Sequence, residues 1–142
     1  MPRHEIRRFM TPTPHTITTR QTLAEAHQTM RERGVRHLPV VLDGKLVGVV
    51  SQRDLYLLET LRGVDVGREM VEEAMSDEPF VVAPGALLDE VAEAMAKSKH
   101  GSALVVESGA LVGIFTSTDA LRALVTLLRG GVGGREVEKN GR

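Results

Sequence analysis

Apolar positions along the chain fall into two kinds of run, and the two kinds alternate. Residues 38–42 (Leu-Pro-Val-Val-Leu) and 46–50 (Leu-Val-Gly-Val-Val) are short, β-branched and almost continuously apolar, with Asp43-Gly44 between them. Two such runs around an Asp-Gly predict a β-hairpin, and their continuity predicts a sheet covered on both faces. Upstream, Leu23, Ala26 and Met30 recur at helical spacing. Thr22 with Glu25 forms a capping box at the start of that helix, and Gly34 suits its left-handed C-terminal position. Thr16-Ile17-Thr18 reads as an extended lead-in, and a second helix is predicted over residues 52–61. The resulting β-α-β-β-α unit, roughly fifty residues, is small for an independent core.

The same unit then occurs again. Setting Met10 on Met75, an offset of 65, aligns Pro14 with Pro79, Leu23 with Leu88, Glu25 with Glu90, Met30 with Met95, Gly44 with Gly109 and Asp54 with Asp119. Leu46-Val47-Gly48 falls on Leu111-Val112-Gly113 without a gap. Agreement at Gly, Pro and Asp marks an internal duplication rather than matched low complexity. In the second copy Phe80-Val81-Val82 is the lead-in, Leu88, Val91, Ala92 and Met95 line the first helix, and Asp89 and Glu90 suit its N-terminal dipole. The second helix is predicted over residues 117–128. The expected fold class is α+β: two pseudo-symmetric repeats, residues 1–62 and 75–129, packed sheet to sheet as one module. Residues 63–74 link them, with a helical turn within 67–75, and a Gly-rich tail over 130–142 is expected to be poorly packed.

Composition narrows the function. Eighteen Lys and Arg against nineteen Asp and Glu leave a charge of −1, which argues against a binder that neutralises nucleic-acid phosphates. With no Cys, disulfides, thiolate metal sites and thiol nucleophiles are excluded, and the five His include no pair at helical ligand spacing. No metal is expected. Three Phe, one Tyr and no Trp predict an aliphatic core. The basic stretch over residues 1–10 is not followed by an apolar run of signal length, and no run approaches the roughly twenty residues of a membrane span. A cytoplasmic protein without a membrane partner is expected.

Two segments carry candidate chemistry: Ser51-Gln52-Arg53-Asp54 and Thr116-Ser117-Thr118-Asp119. A hydroxyl residue with an acid three along, just before an apolar helix, is a capping box in its own right, and spacing alone leaves that reading as strong as a functional one. Neither the strained GxSxG elbow of hydrolases nor a phosphate-binding P-loop is present, so no catalytic residues are assigned.

These segments, with Met10-Thr11-Pro12, Gly34-Val35-Arg36-His37-Leu38-Pro39-Val40-Val41, Gly48-Val49-Val50, Leu104-Val105-Val106 and Gly113-Ile114-Phe115, resemble a CBS domain pair (the Bateman module) over about residues 5–129. The resemblance implies a stand-alone regulatory protein without enzymatic activity or resident cofactor. It would bind an adenosine-containing ligand (AMP, ADP, ATP or S-adenosylmethionine) in clefts between the repeats, pair into a homodimer and signal to a downstream protein. It also makes Ser51, Asp54, Thr116 and Asp119 nucleotide-binding positions. The chemistry is compatible, since a carboxylate accepts two hydrogen bonds at once, as a ribose diol requires. The hydroxyl residue sits where helix N–H groups can face a phosphate.

Arg36 and His37, before Pro39, are the expected phosphate contacts, against the alternative that charges at a strand start simply face water. They favour a phosphate-bearing ligand over the cationic sulfonium of S-adenosylmethionine. The second copy departs here: Gly101 and Ser102 take their places, and Lys99 and His100 precede, so the two sites should differ in affinity. By resemblance, Thr16, Ile17 and Pro39, and Val81, Val82 and Leu104, would wall the adenine, although each is also an ordinary strand residue. Met10, Met30, Met75 and Met95 read as core fillers. Leu55, Leu57, Leu58, Leu61, Leu121, Leu124, Leu127 and Leu128 exceed what one sheet can cover, which independently predicts a dimer. The competing expectation is a structural homodimerisation module whose pockets are vestigial and empty.

Overall fold

The computed structural model describes residues 3–130; the tail expected to be poorly packed lies, beyond Gly130, outside the described residues. In chain order the elements are β1 (Thr11–Pro12), β2 (Ile17–Thr18), α1 (Leu23–Arg33), β3 (His37–Leu42), β4 (Lys45–Ser51), α2 (Gln52–Glu59), β5 (Val81–Val82), α3 (Leu88–Ser98), β6 (Ser102–Glu107), β7 (Ala110–Thr116) and α4 (Ser117–Leu128). Short 3-10 turns occur at Ile6–Arg8 and Val71–Glu73. The β-α-β-β-α order appears twice, in a mixed α+β fold with two sheets. Among the described residues no helix is long and apolar enough to cross a membrane.

One compact unit is the contiguous stretch Pro14–Pro79. Its sheet runs β2-β3-β4, with β2 parallel to β3 and β3 antiparallel to β4. Asp43 and Gly44 turn the hairpin with φ of 51° and 79°, the paired left-handed conformation that Asp-Gly favours. The capping box starts α1: Glu25 N–H donates to Thr22 Oγ1 at 3.1 Å, and Thr22 N–H to Glu25 Oε1 at 2.9 Å. Gly34 ends the helix at φ 66°. The core gathers Ile17, Leu23, Ala26, Met30, Leu38, Val40, Val50, Leu55 and Val71. The stretch expected to link the copies with a helical turn within 67–75 is built into this unit and carries the 3-10 turn at Val71–Glu73. Leu23 N–H donates to the Glu69 carbonyl, Val71 N–H to that of Gln21, and Val49 and Ser76 exchange both backbone bonds.

The other unit joins the described residues of Met1–Thr13 to those of Phe80–Arg142. Its sheet runs β1-β7-β6-β5. The N-cap residue of α3, Leu87, has no side-chain acceptor; instead Leu88 N–H donates to the His4 carbonyl at 2.7 Å. Ile6 N–H donates to the Ala86 carbonyl, and Thr11 pairs with Ile114. Ile6 and Phe9 thereby enter a core with Leu88, Val91, Met95, Ala103, Val105, Phe115 and Ala123. All three phenylalanines serve this unit, Phe80 lying half-buried against the same cluster, so only the Pro14–Pro79 core is wholly aliphatic.

The stitching follows the 65-residue offset: His4, Ile6, Met10 and Thr11 do in one unit what Glu69, Val71, Met75 and Ser76 do in the other. The segment that leads into each copy is therefore built into the sheet of the opposite copy. The compact units thus cut the chain differently from the repeat boundaries expected above. The exchange also explains two glycines. A Cβ at Gly48 would meet the Ser76 carbonyl oxygen at 2.5 Å and Met75 Sδ at 2.9 Å, and one at Gly113 would collide with Met10 Sδ. Gly48→Ala is expected to cost about 1–3 kcal/mol, because backbone must move. Gly113→Ala should cost less, since a methionine side chain can turn aside. Urea unfolding of both variants is the check, and equal losses would contradict this account.

Candidate functional site

In the Pro14–Pro79 unit, the antiparallel register sets His37 opposite Ser51. Gln52 N–H donates to the Arg36 carbonyl at 2.8 Å, which fastens the start of β3 to the head of α2. Ser51 caps that helix: Asp54 N–H donates to Ser51 Oγ at 3.1 Å, and Ser51 N–H to Asp54 Oδ2 at 2.9 Å. The capping reading is thus satisfied in full, yet it occupies only one carboxylate oxygen. Asp54 is half-buried, and its Oδ1 makes no hydrogen bond among the described residues. Burial holds the His37 imidazole below its ordinary pKa; Asp54 opposes this shift and Arg36 adds to it. Arg36 itself is exposed. Four of the anticipated residues, Arg36, His37, Ser51 and Asp54, are therefore brought together where β3 and β4 meet the head of α2.

The second copy repeats the backbone and changes the chemistry. Ser102 stands opposite Thr116, and Ser117 N–H donates to the Gly101 carbonyl at 3.2 Å. Thr116 caps α4 through the same reciprocal bonds with Asp119. Asp119, however, is only 2% exposed. Oδ2 accepts from Thr116 N–H at 2.9 Å and from its hydroxyl at 3.2 Å; Oδ1 accepts from the Thr11 hydroxyl at 3.1 Å and faces Arg122 at 3.6 Å. At the offset positions the first copy carries Ser76, whose Oγ accepts from Glu78 N–H at 3.4 Å, and Leu57, which carries no charge. Thr11 and Arg122 escaped the sequence reading. Arg122 was detectable as an i,i+3 partner of Asp119, whereas nothing local to Thr11 marks its partner 108 residues away. Lys99 holds the left-handed C-cap of α3 at φ 57°, and the exposed His100 stacks on Phe80 with ring centroids 5.5 Å apart.

The positions expected to wall an adenine are unlike one another. Thr16 is exposed, Ile17 and Pro39 are buried, Val81 is exposed, Val82 is half-buried against its own core, and Leu104 is fully buried. Met30 and Met95 lie in the two cores, and Met10 and Met75 are half-buried over the glycines. On the helices, Leu55, Leu58 and Leu127 are taken up by their own cores. Leu57, Leu61, Leu121, Leu124 and Leu128 stay in solvent, Leu128 at 78%. Among the described residues no cluster of His, Asp or Glu has the arrangement of a metal site.

Comparison with known proteins places these features in a family. The CBS domain model matches residues 6–58 and 71–126. The chain is 36% identical over 105 residues to an inosine-5'-monophosphate dehydrogenase of Korarchaeum cryptofilum, covering 73% of this chain but spanning only 21% of the dehydrogenase. Among solved structures, CBSX2 in complex with AMP is similar with a TM-score of 0.76 and 30% identity, over 89% of this chain and 99% of that one. The CBS domain pair of protein MJ0100, in complex with 5-methylthioadenosine and S-adenosyl-L-methionine, is similar with a TM-score of 0.79 and 26% identity, over 91% and 98%.

Proposed function

The chain belongs to the CBS domain family, and from that premise we propose that it is a regulatory module that senses an adenosine-containing ligand and does no chemistry of its own. The ligand is bound at the first copy, where Asp54 accepts the paired ribose hydroxyls, Ser51 and the head of α2 face the phosphate, and Arg36 and His37 supply its charged and neutral partners. The observation that carries this reading is Asp54 itself: half-buried, capped through one oxygen, with the other open to accept. AMP, ADP or ATP fits better than S-adenosylmethionine, whose sulfonium would meet Arg36. The relatives crystallised with AMP and with S-adenosyl-L-methionine support the ligand class. The exposed leucines of α2 and α4 support a homodimer through which the signal reaches a partner protein.

A ligand that binds only the folded protein adds about 2.7 kcal/mol of stability at a hundredfold excess over Kd. Thermal melts with AMP, ADP, ATP and S-adenosylmethionine should therefore show a clear rise in Tm with at least one adenine nucleotide and a smaller one with S-adenosylmethionine. Flat melts with all four would favour the second reading, a structural homodimerisation module with empty pockets, for which the closed environment of Asp119 already speaks in one copy.

A further inference from the structure

We propose that the second copy is held closed by the chain's own Thr11, which occupies the acid a ribose would need, so that each chain binds one ligand rather than two; this rests on the reading of Asp54 given above. The two copies offer the same hydroxyl-x-x-acid box on the same backbone, and a ligand would have no reason to distinguish them if the boxes were all that mattered. They differ in what reaches the acid from far along the chain. At Asp119 the Thr11 hydroxyl donates to Oδ1 at 3.1 Å, in the manner a sugar hydroxyl would. Thr11 is held there by β1, which pairs with β7 through Thr11–Ile114 and Pro12–Gly113, and by Met10 seated over Gly113. Arg122, at 3.6 Å, answers the carboxylate's charge.

With Thr116 on the other oxygen, Asp119 is surrounded and 2% exposed, so an incoming diol would first have to displace an intramolecular donor. In the first copy the residue at the offset position is Ser76. It makes the same backbone bridge, to Val49, but its side chain turns to Glu78 and leaves Asp54 Oδ1 open. The lock is therefore placed by the Thr11 hydroxyl on a lead-in strand, beside Arg122 on α4, and not by the motif.

The test is binding stoichiometry for AMP by isothermal titration, on the full chain. The wild type should bind one AMP per chain, Thr11→Val two, Asp54→Ala none, and the Asp54→Ala/Thr11→Val double variant one. Thr11→Ser keeps the donor and should behave as the wild type, which separates loss of the hydrogen bond from loss of the fold. Two AMP per wild-type chain would overturn the inference, as would a Thr11→Val protein that still binds one while the double variant binds none. Absence of binding by every protein, Thr11→Val included, would overturn both the reading of Asp54 and the lock built on it. Loss confined to Asp54→Ala and its double variant would leave that reading standing and remove the lock alone.

Discussion

Phe115→Ala is expected to lower the free energy of unfolding by about 3–5 kcal/mol, the largest stability effect of any substitution considered. Phe115 is fully buried and touches a cluster drawn from both ends of its unit, Ile6 and Phe9 on one side and Val105 and Ala123 on the other. Deleting the ring loses its transfer energy and leaves a void that β7, fixed between β1 and β6, cannot collapse to fill. The duplication provides an internal control. The equivalent residue of the first copy is Val50, equally buried, and Val50→Ala removes two methyl groups at a cost of about 2 kcal/mol. Against a total of roughly 5–15 kcal/mol, the first change approaches the whole stability of a modest protein and the second does not. Denaturant titration separates them. A Phe115→Ala loss below that of Val50→Ala would mean the aromatic core does not bear on folding as described.

The second large effect is a reversal between two acids that look alike in sequence. Asp54→Ala should erase the nucleotide-dependent rise in Tm while lowering baseline stability by no more than about 1 kcal/mol, since Ser51 still caps α2 through the backbone N–H of residue 54 and only the reciprocal bond from Ser51 N–H is lost. Asp119→Ala should keep the nucleotide response and cost about 2–4 kcal/mol. Thr116 still caps α4 through the backbone N–H of residue 119, but the carboxylate half of the capping box is lost and the donors on Thr11 and Thr116 are stranded. The Arg122 contact adds little to this sum, its side chain being about half in water. Ligand melts and urea titrations on the same two proteins decide the matter. Equal baseline losses, or a nucleotide response abolished by Asp119→Ala and not by Asp54→Ala, would reverse the assignment of roles.

Much of the fold could be read from the chain because its determinants are local. The Thr22–Glu25 box, the Asp43-Gly44 turn and the Gly34 terminus each act within a few residues, and each forms as its pattern predicts. The two helices after the hairpins follow from the same logic, although α2 ends two residues before the expected boundary, where Thr60 turns its hydroxyl to the Leu57 carbonyl. What stayed hidden is long-range. Apolar residues in the first ten positions, Ile6 and Phe9, announce that they will be buried but not against what, and an antiparallel bridge such as Glu5–Leu87 carries no label in either strand. The aliphatic core inferred from few aromatics failed in one unit for a related reason: all three phenylalanines converge there from distant parts of the chain. At the site, equal motifs concealed unequal acids. Ser51–Asp54 and Thr116–Asp119 are set by spacing, whereas the openness of each carboxylate depends on whether a Thr or a Ser arrives from elsewhere.

The exchange of lead-in segments also sets an order of assembly during synthesis. Everything the Pro14–Pro79 unit needs has left the ribosome once Pro79 emerges, and its strands can close over short loops. The other unit cannot form until β7 is made, since Thr11 must find Ile114 and Ile6 must find the neighbourhood of Phe115. At roughly 5–20 residues per second, the stretch from Phe9 to Phe115 takes several seconds or more to make, and for that time Ile6 and Phe9 lack the core they are buried in. Within this unit, the segment made before the rest cannot be buried until the rest exists.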